Sequence, residues 1–384
     1  MFAMLPEEKT SIGSRLRNFH FCMNPLSGAI LFCLVISALP ASVLAQHQPR
    51  SIGGGFYQLR LPTAHAALGP DKSLQISVVG KLPVTGALEI IARDTNEVSV
   101  DIRSAFRADD AEQANETMST SGARLLPTDD GLHLKIRIDP SVWSVFEVDK
   151  LSLDMSVTVP VSTAINIDAP YMQMTSEGAV SDITIDETYE SVNISGARGT
   201  IRVDSHNKPI ILSDLVGGFD LRTSSGKIAL NDIRIARDTA RGKKYPVSRV
   251  RNEDGAIIIR RYAGPLQART ARADIVGSDV KVSGGRNWIE NSGGTIDVSF
   301  SGVAQDSRLD IRNSYEDILL GFSRDVSAAF SLVTSEEKSI EIDKLPHRII
   351  DVRENRIDAE CGAGAATISV RAKYGGSIQI SGKP

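Results

Sequence analysis

The stretch "LRTSSGKIAL", residues 221–230, places two serines, a glycine and a lysine in the order that closes a phosphate-cradling loop. Such a loop needs another glycine upstream and a helix downstream. Here Asp220, Leu221 and Arg222 fill the upstream positions, and the chain runs on into Ile228-Ala-Leu230, a strand-like triplet. No G-x-S-x-G elbow and no H-E-x-x-H pair occurs. His47, His65, His133, His206 and His347 are scattered without metal-ligand spacing and read as surface residues. "DETYE" at 186–190 supplies acidic oxygens for an isolated Ca²⁺. The surrounding corners have at most two glycines and no recurring aspartate, unlike the calcium β-roll. No cofactor or metal is expected.

One segment stands out by charge. Arg234, Arg237, Arg241, Lys243, Lys244, Arg249 and Arg251 crowd residues 234–251, with Asp238 as the only acid. A solvated loop would look like this. So would a patch for anionic envelope partners, with arginine making bidentate phosphate contacts. Of the candidate sites, this insertion is the one expected to bind.

The elements that would carry these residues repeat. Apolar-x-apolar triplets begin at Ile183, Val192, Ile201, Ile210, Phe219 and Ile228, a step of nine each time. A fixed period marks a solenoid. Wholly polar connectors ("DSHNKP", "RTSSGK") alternate with connectors carrying Ala197 or Leu215 at the third place. The unit is therefore about 18 residues, with two strands and two unlike corners. The polar corner recurs downstream as "RNEDGA", "RTARAD", "ENSGGT" and "RNSYED", while 231–250, 299–308 and 321–329 enlarge the other corner. One edge is uniform and the other decorated. The second place of the uniform corner reads Ser205, Thr223, Asn252, Thr270, Asn291, Asn313 and Thr334. Such side chains bond nearby backbone, so a structural polar ladder is expected there.

Before residue 171 the period is less clean. Alternating strands are expected at 74–79, 88–91, 98–102, 132–138, 151–159 and 165–167, with a flexible lead-in at 46–56 and a polar loop over 107–131. The expected organisation is a signal peptide (1–45), a β-rich part over 46–170 that caps the solenoid, and the repeat domain over 171–384. A separate sandwich ending near 170 is the alternative.

Arg15 and Arg17 before the apolar run 28–39, then "ASVLAQ", give the pattern of a secretory signal cleaved after Ala45. The run is too short to span a bilayer, so the mature chain is expected to lack a transmembrane segment. Cys22 and Cys33 leave with the signal, and Cys361 remains as a small buried hydrophobe without a disulfide. The whole chain has 384 residues and a net charge of −4; residues 1–45 carry a net +1, leaving −5 on the rest. That mild acidity argues against nucleic acid as a partner.

Val159-Pro160 at a strand end, followed by "SSGKIAL" at 224–230 within a serine- and glycine-rich block, resembles the DUF4097 family of candidate bacterial adhesins over about 150–340. The long insertions after 230 and 342 depart from the family pattern. The resemblance implies an all-β parallel solenoid on an exported or envelope-associated protein, with no catalytic residues to transfer. A non-catalytic protein of periplasm, cell surface or medium is expected, binding envelope polysaccharide, anionic lipid or another envelope protein. A polysaccharide-active lyase or hydrolase is the rival. It needs clustered carboxylates, whereas the middle residues Thr184, Asn193, Arg202, Ile211, Asp220 and Ala229 are mixed. An outer-membrane barrel would need longer strands.

Overall fold

The computed structural model describes residues 48–383 except 70, 81–83, 120–121, 139–150, 179–180, 236–247, 285 and 336–338. The expected signal segment, together with Arg237, Arg241, Lys243 and Lys244, lies outside the described residues.

A short strand with alternating apolar residues can bury one face only if another layer covers it. The chain solves this by coiling into a parallel β-solenoid. Strand Arg198–Ser205 runs parallel to Val216–Thr223 residue for residue, Ile201 beside Phe219 and Val203 beside Leu221. The column extends backward through Ile183 to Ile165. A second column sets Val192 beside Ile210 and Ile210 beside Ile228. Each coil thus supplies one strand to each column at the 18-residue step. The insertion after Arg234 lengthens one step, pairing Phe219 with Ser248 and Ile228 with Ile257. The step of 18 resumes with Ile257 beside Ile275.

Between the columns lies one continuous core of Ile, Leu, Val and Phe. Phe219 of the first column meets Tyr262 of the second edge to face, ring centres 6.2 Å apart. Each aliphatic side chain removed from water contributes roughly 1.5–3 kcal/mol, so stacking coils holds each coil in place. Ala229, a middle residue of its triplet, is buried rather than outward and exposed.

At the decorated edge Asp214, Asp232, Arg261 and Asp279 take left-handed backbone angles, φ 53°, 57°, 50° and 54°. One such residue per coil bends the strand so that Ile233, Tyr262 and Val280 point inward. Aspartate accepts this region better than most residues. Arg261 does not, and it is held by Asp232 of the preceding coil through two guanidinium nitrogens. That bond holds the Asp232 carboxyl below the usual carboxylate range.

At both ends the order in space departs from the order in sequence. The last coil in the chain is not the last in the stack. Ala366–Ala372 lies between Arg308–Asn313 and Ala328–Val333, and Ile378–Lys383 lies between Ile318–Ser323 and Ile340–Asp343. The other end mirrors this. Ser73–Gly80 lies between Gly131–Ile138 and Ala164–Asp168, and Thr85–Arg93 between Leu151–Pro160 and Met172–Glu177. Pairing is therefore continuous through residue 170.

Antiparallel strands then extend a ladder at each end. Glu97–Arg107 and Phe56–Ala67 extend one end; Arg356–Cys361 and Arg348–Arg353 extend the other. Such caps end what would otherwise be open parallel edges.

Two expectations in the first half need correction. The lead-in expected at 46–56 holds strand Arg50–Gly53 in a hairpin with Phe56–Ala67. The polar stretch 107–131 folds into helix Ala111–Ser119 and strand Gly122–Thr128. Helix formation follows from a reciprocal cap: Gln113 N donates to Asp110 Oδ1 at 2.8 Å, and Asp109 N donates to Gln113 Oε1 at 2.6 Å. Ala114 then packs into the core.

Candidate functional site

The uniform corner is built from its second residue outward. Thr223 Oγ1 donates to His206 O of the preceding coil at 3.1 Å and accepts from Gly226 N at 3.2 Å. Asn252 donates to Gly226 O at 2.7 Å and accepts from Gly255 N at 2.9 Å. Thr270 reaches Gly255 O, Asn291 reaches Ala273 O and Gly294 O, and Asn313 reaches Gly294 O and Asp317 O. Ser205 bonds Lys208 O within its own corner. All of these residues, with Thr334, are buried. Thr223, Asn252, Asn291 and Asn313 thus each close their own corner and tie it to the coil before, while Ser205 does only the first and Thr270 only the second.

Because side chains alternate along a strand, the residue before each buried corner residue must face solvent. Those positions read Asp204, Arg222, Arg251, Arg269, Glu290, Arg312 and Arg371, in direct parallel register from coil to coil. Arg222, Arg251 and Arg269 are successive, exposed, and about 4.8 Å apart in backbone spacing. Among the described residues none of the three has an ion pair or side-chain hydrogen bond. They line a groove of about 840 Å³ together with Arg272, Ser292 and Tyr315. Arg272 differs from them, since Asp254 of the preceding coil holds it. A smaller groove of about 260 Å³, lined by Arg202 and Asp220 among others, shares Arg222 and Asp204 with the first.

Aromatic residues flank the arginines along the same edge. Tyr171 stacks on Tyr189 at 5.1 Å, and Tyr189 on His206 at 4.4 Å, with the ring planes nearly parallel. Glu187 fastens this stack, accepting from the Tyr189 hydroxyl at 2.8 Å and lying 3.0 Å from His206 Nε2. Those two contacts, the tyrosine hydrogen bond first, hold its carboxyl below the ordinary range. The stack ends at His206, whose carbonyl accepts from Ser224 and Ser225 N of the first arginine-bearing coil. Beyond the arginines Tyr315 stacks on Tyr374 at 5.4 Å.

The expected basic insertion does not form one surface from its described members. Arg251 joins the groove. Arg249, two residues back on the same face, is 3.6 Å from Asp220. Arg234 ends strand Ile228–Arg234 at the opposite, decorated edge. "DETYE" places Glu187 against Tyr189 and His206 rather than in an oxygen cage, and among the described residues no cluster of three His, Cys, Asp or Glu could hold a metal. No described helix is long and apolar enough to cross a membrane. Cys361 is buried, and burial pushes its thiol up to about 11.

No protein-family model and no curated protein matches the chain. Among solved structures, it is similar to a candidate cell adhesion protein from Clostridium sporogenes, at 10% identity over 84% of this chain and 99% of that one, with a TM-score of 0.20. It is also similar to candidate adhesins from Bacteroides fragilis (9% identity, 83% and 96% covered, TM-score 0.27) and Parabacteroides merdae (8%, 85% and 97%, 0.25). Overlaps of this kind place no residue of those proteins on a residue here.

Proposed function

We propose that the chain is an exported, non-catalytic β-solenoid that binds an anionic component of the cell envelope, an adhesin-like role in keeping with its DUF4097-like motifs. The observation that carries this reading is the column Arg222, Arg251 and Arg269. Like charges directly opposite on neighbouring strands destabilise a sheet, and among the described residues none of the three arginines is held in an ion pair, although Asp204 and Glu290 continue the column on either side. Fold stability does not account for such a column; an anionic ligand does. The basic, apolar and small-residue pattern of residues 1–45 supports export. The non-catalytic reading draws support from the triplet middles, where Thr184, Arg202 and Asp220 neighbour one another in one column and Asn193, Ile211 and Ala229 in the other, so that no two carboxylates meet there.

The test is retention of the purified protein on immobilised envelope polysaccharide and on anionic-lipid vesicles. Retention that is eluted by salt, without release of reducing ends from the polysaccharide, is expected. Flow-through on both supports would overturn the binding role, and glycan cleavage would overturn the non-catalytic one.

A further inference from the structure

We infer that the uniform edge is a track for a linear acidic polysaccharide lying along the solenoid axis. This rests on the envelope-binding reading above and assigns it a ligand and a site. Three features fix the ligand class.

The first is direction. Arg222, Arg251 and Arg269 occupy the same register of successive coils, so their charges follow the axis at the coil repeat. A compact anion would engage one or two of them. A polymer with a carboxylate on each residue meets all three, because one sugar ring and its linkage cover a length comparable with one coil. Guanidinium groups offer carboxylates paired donors in a plane.

The second is the flanking rings. The Tyr171–Tyr189–His206 stack stops where the arginine-bearing coils begin, and Tyr315 lines the groove. Aromatic residues carry an apolar body with a polar tip, which suits the C–H faces and hydroxyls of sugar rings.

The third is the charge balance of the track. Asp204 and Glu253 line the groove, and Glu290 follows Arg269 in the column. These acids can accept hydrogen bonds from sugar hydroxyls. They repel a phosphodiester strand and a polyuronate alike, but a polyuronate offers them free ring hydroxyls as donors, which the backbone of a DNA strand does not. A single-stranded nucleic acid is therefore the disfavoured polyanion, although rings beside a basic groove also suit that ligand.

The experiment measures binding of the full chain to polygalacturonate, with neutral dextran, a poly-dT oligonucleotide and anionic-lipid vesicles as parallel probes. The variants are R222Q/R251Q/R269Q and, at the opposite edge, R234Q. Unchanged circular dichroism and melting of each variant establish that it folds. Expected results are salt-sensitive binding to polygalacturonate, none to dextran, a loss of roughly 30-fold in the column variant, and little change in the other. Equal polygalacturonate affinity in wild type and column variant would overturn the track while leaving envelope binding intact. Tighter binding to poly-dT or vesicles than to polygalacturonate would overturn the ligand class. Binding to none of the probes would overturn the track; retention on whole envelope polysaccharide then decides the broader reading separately.

Discussion

Asn252 shows how one side chain can set a corner. Its amide accepts from the corner's own Gly255 N and donates to Gly226 O of the coil before. In Asn252→Ala both buried backbone groups lose their partner, at about 1–3 kcal/mol. Equilibrium denaturant unfolding should show that loss, and Asn252→Thr, the residue type used one coil earlier, should recover part of it. Cys361 offers a second check at this scale. With its thiol pushed up to about 11, the thiolate is scarce at pH 8. Alkylation, read by mass spectrometry of the Cys361 peptide, should be slow in native buffer and rapid in denaturant. Fast native labelling would show that the antiparallel cap opens readily.

The same residues show what could be read in advance. The buried corner ladder was legible because Ser205, Thr223, Asn252 and their successors repeat at one place of a polar connector. The arginine column was equally present in the letters, since "RTSSGK", "RNEDGA", "RTARAD" and "RNSYED" all begin with arginine. A run of charge along the chain, as in 234–251, is visible in the letters, whereas a column is spread over one residue per coil. In a solenoid, neighbours in space are one coil apart. The left-handed column Asp214, Asp232, Arg261 and Asp279 is spread in the same way, each residue two places beyond its triplet.

At the scale of elements, coil stacking demands close backbone approach. Gly217 has φ +158°, and a Cβ there would come within 1.8 Å of Gly199 O in the coil before. Gly217→Ala cannot be relieved by a side-chain movement, because the obstacle is backbone. A loss of more than about 2 kcal/mol is expected in thermal or denaturant unfolding. An unchanged midpoint would mean that the coils slide to accommodate a methyl group. The helix Ala111–Ser119 lay beyond the periodic signal. Its determinants are a local cap and Ala114, which carry no repeat.

For the molecule as a whole, the interleaved ends make trimming non-local. In a solenoid stacked in sequence order, removing the final coil exposes only its neighbour. Here residues 366–383 separate coil 308–323 from strands 328–343. Truncation after Ala365 removes an internal rung. Amides of 328–333 and 340–343 should then lose hydrogen-exchange protection together, while those of 183–223 keep it. Selective loss at the new C-terminus alone would contradict the interleaved order. Sequence spacing gives the coils, and only the pairing gives their order.

The most direct measurement compares hydrogen exchange of the full chain with and without a saturating oligogalacturonate. If the uniform edge binds it, protection rises in the corners 204–208, 222–226, 251–255 and 269–273 and in no segment of the decorated edge. Protection confined to 231–235, 260–264 and 279–282 would place the ligand on the other edge and contradict the arginine column as the binding surface.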